Sequence, residues 1–497
     1  MGTVRDTPAE PAFLPAPGAD VFGHPRPLWM LFGAEFWERF CFYGMRALLA
    51  VYVASTFFGH LPEGEANAQA SLTYGGYTAL VYATGILGGF VADRYLGYQR
   101  SIVLGGLLMA AGMFMLMIED LRWFLLGLSV IVAGNGMFKP NISTMVGALY
   151  RQGDARRDSG FTIFYMGINA GAFLAPIICA SIIGATFGYR YGFLAAGIGM
   201  IFGVLAFHIL AGMLGHIGRP APGREDGKPF WVVLAGALAL VPVIYMLLSK
   251  SAVLGYVLVG LMALLAAYFV TSGLRSGNRV QLQRYIAMLL LFAANCLFWA
   301  LFEQAGSSLN FFARDFVDAP FHFTLFQSAN PLFILIYAPL FAMLWPALDA
   351  RGINPSIPRK FAIALIGAGG GFLLLVLAIN ATSPGEKVFW GFLALTYMIH
   401  TMSELCLSPI GLSMVTKLAD EREVGLAMGG WFLSTAMANY LAGLIAAVAS
   451  GGGEHGAASS LEQYASTFMQ LWWLGLVIGG AYFLCAPLIN RLMHGVK

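Results

Sequence analysis

Fourteen stretches of the chain are each apolar for long enough to cross a lipid bilayer as a helix, which takes roughly 20 residues. They run over about 28–57, 70–92, 99–118, 122–148, 159–183, 190–215, 230–249, 252–273, 282–311, 323–346, 360–380, 388–417, 424–450 and 464–491. Runs this long and continuous are not β-barrel strands, which alternate over about ten residues. Composition agrees: 59% of the 497 residues are hydrophobic and 11% are charged, against about 25% charged in a soluble protein. No globular fold hides that much apolar surface from water, so lipid is the solvent for most of the chain. A soluble enzyme, a secreted disulfide scaffold and a nucleic-acid binder are excluded. An all-α integral membrane protein is expected.

Lys and Arg in the loops orient such helices. With the N-terminus in the cytoplasm, twenty of the 28 Lys and Arg fall on the cytoplasmic side. Five fall outside (Arg122, Arg190, Lys250, Arg314 and Lys387), and three lie within spans. Both termini are therefore expected in the cytoplasm, which suits an even number of spans. Residues 1–26 hold five prolines and no apolar core, so they read as a disordered cytoplasmic tail rather than a signal peptide. Cys41, Cys179, Cys296, Cys406 and Cys485 are scattered through apolar spans with no metal-ligand spacing. They read as small packing residues, and no metal site is expected.

The spans divide as six, two and six. The middle pair, about 230–273, carries no charge except Lys250 in its turn. Polar linkers flank it. The outer blocks each carry ionisable residues in mid-span, which places the function there and makes the hairpin an accessory. The expected organisation is a tail (1–26), an N-terminal six-helix bundle (27–217), a linker with the hairpin (218–279) and a C-terminal six-helix bundle (280–497). Two six-helix halves around a midplane site is the layout of major facilitator transporters.

An ionisable residue at mid-bilayer costs about 2.5–3.5 kcal/mol on insertion scales, so each needs a reason. Seven stand out: Glu35, Glu38, Arg39 and Arg46 on the first span, Lys139 on the fourth, and Glu303 and Glu404 in the second block. At about 100° per residue, Glu35, Glu38, Arg39, Tyr43 and Arg46 fall at roughly 0°, 300°, 40°, 80° and 20°. They share one face, opposite Trp29, Leu31, Phe36, Phe40 and Leu48, and that face must line a polar cavity. Buried ion pairs that merely fix helix register would explain one pair, but not seven charges drawn from both halves. Three cations face four carboxylates. The carboxylate left over, if desolvated, prefers to hold a proton, so the site is expected to bind a proton in one conformation and lose it in another.

The turn between spans two and three, Gly89-Phe-Val-Ala-Asp93-Arg94-Tyr-Leu-Gly97-Tyr-Gln-Arg100, looks like the major facilitator signature. The first span reads Glu35-Phe-Trp-Glu38-Arg39-Phe40-Cys41-Phe42-Tyr43-Gly44 and closely resembles the ExxERF signature of the proton-coupled oligopeptide transporters, the POT (peptide/PTR) family. Three further stretches agree, in order and on the expected spans: Gly134-Asn-Gly-Met-Phe-Lys139-Pro140-Asn141, Phe164-Tyr165-Met-Gly-Ile-Asn169-Ala-Gly171 and Ser403-Glu404-Leu405-Cys-Leu-Ser408-Pro409. The central hairpin resembles the bacterial branch, which implies the inner membrane.

The resemblance implies a major facilitator fold and proton-driven symport of di- and tripeptides, with protons as the coupling ion and no cofactor. Proton coupling falls to Glu35, Glu38, Arg39 and Glu303. Arg39, Arg46 and Lys139 form the positive pole for a peptide carboxylate, while Glu404, helped by Asn169 and Asn330, meets the amino terminus. Glu303 pairs with Arg46 across the halves. Tyr43, Tyr82, Trp299 and Trp431 form pocket walls, and Pro409 is a hinge beside Glu404. Lys139, Glu404, Arg46 and Glu303 also gate.

The chemistry of the residues points the same way. A short peptide is a zwitterion whose ends lie several ångströms apart whatever its sequence. Opposite poles on opposite halves clamp those ends, and aromatic walls supply unspecific apolar contact. Binding across both halves favours closure.

Some positions depart from the family pattern. Phe42 replaces a tyrosine found in many members, span two has no His, and residues 47–93 hold no Lys or Arg. Asp315 or Asp318 would then need another partner to close an outer gate, which is left unassigned. His400 reads as a hydrogen-bonded packing residue, and Pro140, Pro176, Pro331 and Pro339 suit bent or close-packed helices. A carrier for nitrate or amino acids on the same scaffold is the alternative, although nitrate has no ammonium for Glu404. No HExxH, GxSxG or P-loop occurs, so an enzyme is not expected. Beyond peptide, proton and lipid, no obligate partner is evident.

Overall fold

The structure is a computed structural model that describes residues 20–151, 154–220, 228–451 and 460–496. Among these residues the chain forms fourteen long helical rods and one short parallel two-stranded ladder. The rods are α1 (Arg26–Thr56), α2 (Glu63–Leu96), α3 (Tyr98–Met115), α4 (Leu121–Ala148), α5 (Arg157–Phe187), α6 (Tyr189–Leu214) and α7 (Lys228–Ser249). They continue with α8 (Ser251–Arg275), α9 (Arg279–Phe316), α10 (Phe323–Ala350), α11 (Ile357–Ala381), α12 (Trp390–Leu418), α13 (Val424–Ala449) and α14 (Leu461–Leu492). Helices are what such apolar runs must form, because in lipid each backbone N–H and C=O has to bond within its own segment.

Eleven of the rods are long and apolar enough by composition to cross a membrane. The other three are informative. α1 carries Glu35, Glu38, Arg39 and Arg46, α12 carries His400 and Glu404, and α3 is 18 residues long with Arg100 in its first turn. Two of them are therefore less apolar because they carry the charged residues of the candidate site. α2 begins at Glu63 rather than near residue 70, with Glu63 and Glu65 in its first turn, where acidic side chains complement the helix dipole.

α1–α6 pack into one group, with α1 on α5 and α6, α4 between α2 and α3, and α3 on α6. α9–α14 form a second group, with α11 on α12 and α14, and α9 on α13 and α11. The groups meet along α2/α13 and α5/α10. Where α2 crosses α13, a methyl on Gly75 would lie 2.7 Å from the Gly443 Cα. Only hydrogens at both positions allow this backbone contact, the small-residue packing that joins helices in lipid.

The described hydrogen bonds that join the groups lie at mid-depth or towards the face opposite the chain ends. The Asn310 amide donates to the Ala47 carbonyl (3.1 Å), the Ser328 hydroxyl to the Phe173 carbonyl (2.8 Å), and the hydroxyls of Ser181 and Thr324 are 2.8 Å apart. The cleft is thus closed at that face.

The α7–α8 hairpin bridges the groups, α7 against α4 and α2, and α8 against α9 and α13. Its firmest polar anchor is Glu423, at the N-terminus of α13. Tyr268 (2.9 Å) and Ser272 (2.7 Å) donate to this carboxylate, as does Tyr285. Burial disfavours the charge of Glu423, yet the three hydroxyl donors outweigh it and hold the carboxyl below its usual range.

Of the expected tail, 1–19 lies outside the described residues. Residues 20–25 dock on the α4–α5 connection: Arg156 reaches Asp20 (2.9 Å), and His24 Nδ1 lies 2.8 Å from the Tyr150 hydroxyl. Between α2 and α3 the signature turn closes on Gly97 (φ 72°). There the Tyr98 hydroxyl donates to Asp93 (2.5 Å), and Gln99 bonds the carbonyls of Ile217 and Gly218.

Candidate functional site

α1 turns its charged face inward. Glu35, Glu38, Arg39 and Arg46 are all buried, between 0% and 9% exposed. In a bilayer these side chains can lie only against one another, other polar groups or water. Arg39 Nε bridges both carboxylates, bonding Glu38 Oε2 and lying 3.1 Å from Glu35 Oε1. The second oxygen of Glu38 accepts from the Asn135 amide of α4 at 2.9 Å. Phe42, in place of a second tyrosine, presents its ring to Arg39 at 5.5 Å.

Two turns along α1, Arg46 joins the halves. Its Nη2 donates to Glu303 Oε2 at 2.6 Å, and its Nε to the Tyr74 hydroxyl of α2 at 2.5 Å. Local sequence makes room for this triad. α9 tightens into a 3-10 turn over Glu303–Gly306 before resuming at Ser308, and a methyl on Gly306 would overlap the Tyr74 hydroxyl. Gly306 is thus required by the approach of α2.

Lys139 of α4 sits over the Tyr82 ring, 4.6 Å from its centroid. Among the described residues it makes no ion pair within 4.0 Å. In the second group, Asn330 of α10 donates to Glu404 Oε2 of α12 at 2.9 Å and to Thr401 at 3.0 Å. Tyr43 lies beside the cations, its ring centroid 5.5 Å from the Arg46 guanidinium carbon. The arrangement therefore sets cations on one half and a buried carboxylate on the other. It has no nucleophile–base pair, and among the described residues no cluster of three or more His, Cys, Asp or Glu could hold a metal.

A family model, described as the POT family, matches residues 99–461. The chain belongs to the POT family. The peptide transporter YePEPT of Yersinia enterocolitica is 35% identical, with 97% of each chain covered. The di-/tripeptide transporter of Lactococcus lactis subsp. cremoris is 34% identical over 96% of this chain and 98% of its own. A crystal structure of a mutant peptide transporter POT in complex with alafosfalin superposes with a TM-score of 0.82, at 36% identity over 97% of this chain and 98% of that one. The POT chain thus has the major facilitator fold, with six plus six helices and a central hairpin. It is a multi-pass membrane transporter of a family that does not comprise enzymes.

Set against this POT fold, the residues singled out in the sequence divide. Glu35, Glu38, Arg39, Tyr43, Arg46, Tyr82, Lys139, Glu303, Asn330 and Glu404 come together in the ways just described. Trp299 is half-buried, edge-on to Phe298 and Phe302. Asn169 bonds its own helix, donating to the Tyr165 carbonyl (2.9 Å) rather than to Glu404. Trp431 is buried against Gly411, Phe292 and Phe361, so it braces α12 two residues from Pro409 and offers little wall. His400 is a packing residue, its Nε2 2.9 Å from the Ala368 carbonyl and its ring against Phe302 and Phe372.

Three partners were not found by sequence reasoning. Tyr74 falls in step with Thr78 and Tyr82, and Asn135 lies four residues before Lys139, so i,i+4 spacing from a recognised residue was the available signal. The third is at the far face. Arg314, at the end of α9, holds Asp315 (2.6 Å) and reaches Glu63 of α2 at 3.1 Å. The base that span two lacks is on α9, and the acid is on α2.

Proposed function

We propose that this chain is a proton-driven symporter that imports di- and tripeptides across the cytoplasmic membrane by alternating access. The observation that carries the reading is the separation of charge across the halves. Arg39, Arg46 and Lys139 come from the first group, Glu404 with Asn330 from the second, and Lys139 makes no ion pair within 4.0 Å among the described residues. A zwitterionic peptide bridges such poles end to end: its carboxylate meets Lys139 and the arginines, and its ammonium meets Glu404. Tyr43, Tyr82 and Trp299 pack the side chains between. The names of the relatives and the alafosfalin-bound neighbour support the cargo class.

Coupling follows from the ion pairs. A proton on Glu303 releases Arg46, and a proton on the Glu35–Glu38 pair frees Arg39, so protonation opens the positive pole to the substrate carboxylate. Arg46, Glu303, Lys139 and Glu404 also gate, with Pro409 the bend of α12. In this reading 27–217 and 280–497 are the moving bundles, 218–279 links them, and residues 1–26 with both termini lie in the cytoplasm. The excess of Lys and Arg on the side of the chain ends supports that orientation.

The test is uptake of labelled dialanine into proteoliposomes, with and without an inward proton gradient. Gradient-driven accumulation is expected in wild type and is lost in Glu38→Gln, while counterflow survives. No dialanine uptake by folded protein would turn the reading to amino acids or nitrate.

Glu63 and Arg314 close the outer face in this scheme. Side-chain exposure of 52% on Glu63 and 23% on Arg314 makes this a weak latch of about 0.2–1 kcal/mol. Arg314→Ala is expected to change uptake by no more than about fivefold, and Arg314→Lys, which keeps the charge, restores it. A complete loss in Arg314→Ala would mean that the arginine does more than latch.

A further inference from the structure

We infer that Asn135 is a positioning residue for proton coupling: it holds Glu38 in one orientation, and so decides which oxygen of the Glu35–Glu38 pair is open to a proton. The inference rests on the proton-coupled reading above and adds a residue to it.

The geometry is specific. Glu38 is fully buried, and both of its oxygens are engaged, one by Arg39 Nε and one by the Asn135 amide at 2.9 Å. A proton on either oxygen would have to displace a donor. Glu35 is different: Oε1 lies 3.1 Å from Arg39 Nε, while Oε2 is buried with no hydrogen-bond partner among the described residues. Arg39 Nη2 is likewise buried and unpartnered. The pair therefore offers one bare carboxylate oxygen, and it is on Glu35. Without the amide of Asn135, Glu38 would have a bare oxygen too, and the two carboxylates would compete for the proton.

The backbone around Asn135 explains why it can impose this. Its neighbours are Gly134 and Gly136. A methyl on Gly134 would lie 2.5 Å from the Gly105 carbonyl of α3, and one on Gly136 would lie 2.9 Å from the Thr84 carbonyl of α2. α4 is wedged backbone to backbone between two helices, and Asn135, 1% exposed, is aimed at α1 from a position that cannot recede. Donors held in place by their own packing act on a charge without reorganising first. The charged and titratable groups near the pair are Arg39 and Cys41 on α1, Lys139 on α4 and Tyr77 on α2.

Asn135→Leu and Asn135→Asp test this in proteoliposomes beside wild type, with labelled dialanine. Leu removes the donor at similar size. Gradient-driven accumulation is expected to fall roughly tenfold, the scale of one hydrogen bond to a buried charge, with counterflow unchanged. In Asn135→Asp the new carboxyl donates only when it carries a proton, so accumulation is expected to recover as the external pH is lowered. A residue that served packing alone would lower counterflow together with accumulation and show no acid recovery. Either result overturns the inference, as does wild-type accumulation with an unchanged pH profile in Asn135→Leu. Should Asn135→Leu not fold, the acid recovery of Asn135→Asp decides alone. A wild-type protein indifferent to the gradient would sink the coupled reading itself, whereas wild-type behaviour in both variants would sink only the role of Asn135.

Discussion

Glu404→Gln is expected to reduce dialanine uptake by about 30-fold or more, because a fully buried charge contact to a ligand is worth about 2–5 kcal/mol when one partner is neutralised. The substitution is close to isosteric, and Asn330, which donates to Glu404 at 2.9 Å, can still bond the amide oxygen of the new side chain. The fold should therefore survive, and the loss should appear chiefly in KM. The clamp makes a sharper demand. A dipeptide whose amino group is acetylated has no ammonium, so it should be transported poorly by wild type and no worse by Glu404→Gln. Lys139→Gln should mirror this with peptides amidated at the carboxyl end. Cross-behaviour would show the poles to be reversed, and equal sensitivity of all peptides would show the charges to be structural. Uptake of the three peptide forms by the two variants is the measurement.

The sequence revealed this site because of where its charges sit. Lipid penalises an ionisable residue so heavily that Glu35, Arg46, Glu303 and Glu404 announce themselves within apolar runs, and helical spacing puts the first-span charges on one face. Two of the three rods that fall short of an apolar span, α1 and α12, carry five of the seven charges, whereas α4 and α9 absorb Lys139 and Glu303 within apolar runs. Pairing across elements was less legible. Tyr74 and Asn135 are neutral and at home in a helix, and nothing in their own stretch says which neighbour they will meet. Asn169 had the right residue type on the right span, yet its amide turns back to its own helix. This choice depends on local geometry. The sequence suggests a pocket wall at Trp431, but the absence of a side chain at Gly411 draws the indole into α12. The outer latch was missed because a base was sought on α2, whereas only the complementarity between α2 and α9 matters.

The pair of Arg46 and Glu303 should give the largest effect on the fold, and its variants separate fastening from coupling. Both groups are buried, and the bond between them is 2.6 Å. Glu303→Ala strands the guanidinium without a counter-ion, beside the Tyr74 hydroxyl at 2.5 Å and the Tyr43 ring. Breaking a buried pair from one side costs about 3–5 kcal/mol, a large part of the about 5–15 kcal/mol by which a typical native protein is stable. That variant should unfold at a markedly lower temperature in detergent. Replacing both partners by methionine removes the two desolvation penalties together, and such exchanges are often neutral or stabilising. Arg46→Met with Glu303→Met should thus regain wild-type thermal stability and yet lose gradient-driven accumulation, because Arg46 is gone from the positive pole and its exchangeable partner is gone with it. Glu303→Gln, which keeps a hydrogen-bond acceptor for Arg46, should fold and retain counterflow without gradient-driven accumulation. If the double methionine variant accumulated dialanine, the pair would be a fastener between the two halves, and coupling would have to reside wholly on the first span.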